Sequence, residues 1–281
     1  MTALHTVFAL RRRSLLGAGA ALAATGPAWP QAAFDHSHAA WTALLKKHVK
    51  LIDGGKASAL RYGGMAQDQA ALRAYAASLS AVPIATFDGW TKAQRMAFLI
   101  NAYNAYTVTL ILTRYPKLES IKDLGSLISN PWKPKFIPLL GTTMSLDGIE
   151  HETLRARGRY DDPRIHFAVN CASIGCPMLL REEAFVADRL DAQLDEQVQR
   201  FLGDRSRNRY NPASGKLEVS KIFDWYGDDF KLGHRGISSL AGFLGPHADL
   251  LADAPADREK IRKEVAAVAF LDYNWKLNDA A

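Results

Sequence analysis

The chain has 281 residues, 48% hydrophobic and 10% aromatic, enough to fill a sizeable core and ordinary for a globular protein. Its formal charge is +6, and removing residues 1–30, which hold Arg11, Arg12 and Arg13 but no acid, lowers it to +3. A charge that small gives no case for nucleic acid, and no zinc-finger, helix-turn-helix or aromatic RNA-binding pattern supplies one.

Residues 1–30 read as a secretory signal. Arg11-Arg12-Arg13 precede Ser14-Leu15-Leu16 and a short run of Gly, Ala and Leu, followed by a Pro- and Ala-rich exit. Paired arginines before Ser-Leu-Leu resemble the twin-arginine class, and the apolar run is too short to span a membrane. Cleavage is expected between Ala28 and Ala33, giving a periplasmic protein that folds before export and meets oxidants afterwards. Residues 35–278 contain no repeat, low-complexity tract or long linker, so they are expected to form one globular domain.

Trp41, Leu44, Leu45, His48, Val49 and Ile52 fall at helical spacing, with Gly54-Gly55 as the stop, which makes His48 a core or boundary histidine. An extended piece over 59–62 leads to a second helix over 67–80, with Leu72, Tyr75, Ala76 and Leu79 inward. Thr91 caps a longer helix from Lys92 to Thr113, ended by Tyr115-Pro116. Its centre is apolar almost all round, which marks a buried helix. Asn101 and Asn104 share one of its faces, and buried amides require partners, either loops tied to the core or an active site.

Three prolines in residues 130–141 leave a loop followed by a short edge strand. Ser145 caps a helix through Arg157 that puts Glu150 on an otherwise apolar face, where a carboxylate must pair or have its pKa raised. His151 lies about 100° further round.

The run from Arg164 to Pro177 reads as an alternating strand that delivers His166, Asn170, Cys171 and Cys176 to one loop. Leu190, Leu194, Val198, Phe201 and Leu202 then mark an amphipathic helix stopped by Gly203, with Asp191 and Asp195 on its solvated side. Arg205, Arg207 and Arg209 form the basic first arm of a hairpin whose second arm is 216–219. Ser220 caps a short aromatic helix to Phe230. Residues 240–251 read as helix, and 265–271 as a buried strand that runs into a polar-aromatic tail. Helices first and strands later suggest an α+β class, the helix-rich half packed on a small, mainly antiparallel sheet.

Four motifs, taken in order, make the chain resemble the domain-of-unknown-function family 547. They are Phe98-x-Ile100-Asn101-Ala102-Tyr103-Asn104-Ala105, Ser145-Leu146-Asp147-x-Ile149-Glu150-His151, the run from Arg164 to Pro177, and Ser220-x-Ile222-Phe223-x-Trp225-Tyr226-x-x-Asp229-Phe230. The ending Tyr273-Asn274-Trp275 is similar to the family's tail, with Asn274 where that tail carries aspartate. The resemblance implies a family label and no established reaction, so function rests on the residues.

Three readings of the cysteine loop follow. Cys171 attacks a carbonyl, with His166 as base, Glu150 or Asn101 as orienter and the Cys171 or Ala172 N–H as oxyanion donor. Such parts serve papain- and transglutaminase-like enzymes, and the substrate would be an amide, thioester or peptide-like molecule. Alternatively, Cys171 and Cys176 form a disulfide across four residues, in a non-catalytic binding or assembly domain. In a third reading both thiolates and His166 hold zinc, but C-x4-C is at the permissive edge of known spacings. No metal or other cofactor is expected. Asn104, His151, Asn170, Ser173, Arg164 and Trp225 are the candidate substrate-binding residues, for an unidentified small or peptide-like molecule.

Overall fold

The computed structural model describes residues 33–125, 130–177 and 182–280; the expected signal over 1–30 lies outside them. The class is α+β. Among the described residues no helix is long and apolar enough to cross a membrane.

Helix α1 (Ala39–His48) buries Trp41, Leu44, Leu45 and His48. It stops there, and Val49 and Ile52, expected on its face, form strand β1 (Val49–Ile52), paired antiparallel with β2 (Ala57–Leu60). The β-branched pair suits a ladder better than a helix end, and a turn through Gly54 and Gly55 at positive φ joins the two strands. A short helix α2 (Tyr62–Gln67), absent from the sequence reading, precedes α3 (Gln69–Ser80), which buries Leu72, Tyr75 and Leu79. His48 is a core histidine, its Nε2 2.6 Å from Asp68 Oδ2.

After α4 (Ile84–Asp88), a full capping box at Thr91 and Gln94 starts α5 (Lys92–Leu112). Residues 96–108 of α5 are all buried, so this helix is the axis of the first apolar core. A hairpin of β3 (Ile137–Leu139) and β4 (Thr142–Met144) leads to α6 (Leu146–Ile149), whose cap Ser145 accepts from the Gly148 N–H at 2.9 Å. The helix does not run α-helically to Arg157. It widens into a π turn over Glu150–Leu154, closed by Arg155 N–H to Glu150 O at 2.9 Å.

The Arg164–Pro177 run differs most from expectation. Instead of a strand, Pro163–Phe167 is a 3-10 turn with Pro163 in the first turn and Asp162 accepting from the Arg164 N–H. Three residues per turn point successive side chains in three directions. Ile165 enters the first core, Phe167 enters a second core built on α7 (Leu190–Gly203), and His166 projects elsewhere. Apolar alternation in this run thus records anchors in two cores, not a pleat.

The second core also takes β5 (Arg209–Asn211), β6 (Lys216–Val219) and α8 (Ile222–Trp225). The expected 240–251 helix is interrupted around Pro246, giving α9 (Leu240–Leu244) and α10 (Ala248–Leu251). Helix α11 (Pro255–Arg262) was not anticipated. Strand β7 (Ala267–Phe270) is half-exposed instead of buried, and pairs parallel to β6, which pairs antiparallel to β5. The described strands form three small separate sheets, not one.

The tail is integral. Asn278 N–H donates to Ala172 O, Ile174 N–H to Lys276 O and Gly175 N–H to Asn274 O, so residues 274–278 run along the cysteine loop. A Cβ at Gly175 would meet Asn274 O and the Tyr273 ring at 2.9 Å, a closeness only glycine allows.

Candidate functional site

A cleft of about 260 Å3 opens beside the cysteine loop. It gathers Glu150, His151, His166, Cys171 and Trp225 from the sequence candidates, together with Asp147, Tyr103, Trp132, Tyr226, Tyr273 and Trp275. Both cores contribute to it: Tyr103 comes from α5 and Ile222 from α8, with the exposed Trp225 following on α8.

His166 is fully buried, and its ring stacks on Tyr226 with centroids 3.9 Å apart. Its Nε2 lies 2.7 Å from Asp229 Oδ2, and Arg155 donates to the two oxygens of Asp229 at 2.6 and 3.1 Å. Burial alone would raise the Asp229 carboxyl, but the bonds from His166 and Arg155 outweigh it and hold the group well below the usual carboxylate range. The ionised oxygen can only accept, so His166 donates to it through Nε2, and the neutral imidazole then has its lone pair on Nδ1. That Nδ1 is buried and has no partner.

Glu150, expected to need a partner, acts electrostatically on the Tyr103 and Tyr226 phenols and has His151 Nδ1 4.0 Å from its Oε1. Burial first, and the Glu150 charge second, push both phenols far above their ordinary range, so they remain donors. Arg155 Nη1 donates to His151 Nδ1 at 2.8 Å, leaving His151 Nε2 to carry hydrogen 3.7 Å from Asp147 Oδ1. Burial raises Asp147, with the nearby His151 acting the other way.

Cys171 and Cys176 are joined as a disulfide, with Cα atoms 6.4 Å apart. Ser173 Oγ and Tyr273 Oη each lie 3.2 Å from Cys171 Sγ. The oxyanion donors expected here are engaged: Ala172 N–H donates to Asn170 Oδ1 at 2.6 Å and Cys171 N–H to Cys176 Sγ at 3.0 Å. Ala172 holds φ at +62°, a left-handed conformation rare outside glycine. With both sulfurs in one bond, the zinc reading loses its ligands, and among the described residues no three His, Cys, Asp or Glu groups gather to hold a metal ion.

The remaining candidates hold the frame. Asn101 Nδ2 donates to Phe185 O at 2.7 Å and its Oδ1 accepts the Phe185 N–H at 3.1 Å, so its amide is spent on a loop instead of orienting His166. Asn104 does the same for Ala168 O and the Asn170 N–H, both at 2.9 Å. Asn170 Nδ2 donates to Pro177 O. Ser173 bonds to Tyr273, and Arg164 is held in ion pairs by Asp162, Asp191 and Asp195. The acidic side of α7 is therefore not simply solvated. Nor is the basic arm free: Arg207 is half-buried against Asp204 and the Phe201 ring.

The sequence reading did not assign Asp229, Arg155, Tyr226, Tyr103, Tyr273 or Asp147 a role. All but Arg155 lie in motifs or in the tail already singled out, which was the available signal.

A family model described as "Protein of unknown function, DUF547" matches residues 87–202. Over that segment the chain is similar to the domain-of-unknown-function family 547, which supports the resemblance carried by the motifs. The match carries Glu150, His166 and Cys171, whereas Tyr226, Asp229, Tyr273 and Trp275 lie beyond it. No curated protein matches the chain. No solved structure matches either, so a papain or transglutaminase likeness rests on residue types alone.

Proposed function

We propose that this is an exported thiol enzyme that cleaves or transfers an acyl group of an amide, thioester or peptide-like substrate, with residues 1–30 as its removable leader and the periplasm as its compartment. The observation that carries this reading is the His166 imidazole, bound through Nε2 to Asp229 with a bare Nδ1, in the same cleft as Cys171. Asp229 takes the orienting role expected of Glu150 or Asn101.

The disulfide holds the enzyme inactive. A dithiol reductant takes it to two thiols and is itself oxidised to a disulfide. Cys171 then passes its proton to His166 Nδ1, and its thiolate attacks the substrate carbonyl carbon. The C–S bond forms as the amine or thiol departs with the proton from His166, and water or an amine takes the acyl group from the thioester. The ion pair with Asp229 stabilises the imidazolium.

Alkylation after mild reduction tests the proposal. Cys171 is expected to react with iodoacetamide well ahead of Cys176, with an apparent pKa below the ordinary value of about 8.5, and His166→Ala is expected to abolish the lead. Equal, ordinary reactivity of the two thiols leaves the second reading, a non-catalytic binding or assembly domain, which the intact disulfide itself favours.

A further inference from the structure

We infer that the cleft is built to take a primary ammonium group of its ligand. Two carboxylates, Asp147 and Glu150, line it, yet no lysine or arginine is among the described residues that do. In a chain of net charge +6, this is a local reversal of sign. Arg155 is outside the lining and committed to Asp229 and His151.

The hydrogen-bonding inventory agrees with the charge. Glu150 has a histidine nitrogen only at 4.0 Å, so its carboxylate keeps lone-pair positions open. Asp147 has a histidine nitrogen only at 3.7 Å. His166 Nδ1 is a buried acceptor without a donor. Three acceptors on one cleft call for a ligand that brings several N–H donors. A primary ammonium has three; a quaternary ammonium has none.

The walls suit the same group. Trp132, Trp225, Tyr226 and Trp275 line the cleft, and a cation over an aromatic ring is attracted by its quadrupole. Two of these rings already hold a cation from outside the lining: Lys122 Nζ lies 3.8 Å from the Trp275 centroid, and the Arg155 guanidinium 4.8 Å from that of Tyr226. The inference deepens the acyl-transfer reading by placing an amine, of the substrate or of the acyl acceptor, beside Cys171.

Tryptophan fluorescence tests it on the full chain with its disulfide intact, so that no thiol chemistry enters and failure here leaves the alkylation result standing. The probes are n-butylammonium, n-butanol and tetramethylammonium. Saturable quenching by n-butylammonium, at least tenfold tighter than by either other probe, is expected, and Asp147→Asn or Glu150→Gln should weaken it several-fold. Should Glu150→Gln fail to fold, Asp147→Asn, nearer the surface, decides. No saturable binding, equal binding of the alcohol or of tetramethylammonium, or a folded Asp147→Asn that binds like the parent overturns the assignment.

Discussion

Asp229 Oδ2 accepts from His166 at 2.7 Å and from Arg155 at 2.6 Å, so one half-buried carboxylate oxygen holds the cleft's imidazole and the Arg155 guanidinium together. Removing it leaves two basic groups facing each other without a counter-charge.

Asp229→Ala should therefore lower stability by about 3 kcal/mol, as for breaking one side of a buried pair, measured by urea unfolding. Asp229→Asn keeps the shape but not the charge, and should slow alkylation of reduced Cys171 by roughly 10²-fold. Parent-like reactivity in a folded Asp229→Asn would show that this carboxylate does not set the proton on His166.

The paired amides on α5 invite a different outcome. Asn101→Ala strips partners from both backbone groups of Phe185 and should cost about 2 kcal/mol. Asn101 is not among the residues lining the cleft, so the folded variant should keep the alkylation lead of Cys171. Loss of that lead at unchanged stability would place Asn101 in the chemistry after all.

His38 gives the chain a pH dependence. Burial pushes its pKa from 6.5 down to about 4, and Nδ1 lies 2.7 Å from the Tyr75 hydroxyl. The unfolded chain therefore binds the extra proton first. This contribution is full above pH 6.5 and falls away between 6.5 and 4, up to about 3 kcal/mol. Burial also lowers His36, His234 and His247, which adds to the same slope. Urea midpoints at pH 7, 5.5 and 4 should fall in that order, and less steeply in His38→Gln; an equal slope in that variant rules His38 out as a source.

The disulfide closes a very short loop, so reduction should cost only about 2 kcal/mol in the chain-entropy account. Parallel melts of oxidised and reduced protein check this. A loss several times larger would mean that the bond braces the tail strand along 274–278 as well as its own loop.

The elements that the sequence made legible are those with a local cause. Thr91 and Gln94 cap α5, Ser145 caps α6, and the Leu190–Leu202 pattern marks α7. What stayed hidden depends on two cores instead of one: Ile165 and Phe167 alternate because they enter different cores, which mimics a strand. The site was half legible. Glu150, His166 and Cys171 stood out as polar groups on apolar segments, and they line one cleft. Asp229 did not, because an aspartate near a helix end looks like any solvated acid until Arg155 and His166 reach it from elsewhere in the chain. Asn101 and Asn104 were correctly read as buried, but burial alone does not say whether an amide serves a loop or a reaction.

Arg164 sits among three aspartates, Asn104 grips Ala168 and Asn170, and Gln197 Nε2 donates to Phe167 O. The turn that bears His166 is thus fastened on both flanks before any ligand arrives. Its freedom was surrendered during folding, so a molecule entering the cleft owes nothing for setting that imidazole in place, and more of its contact energy remains as affinity.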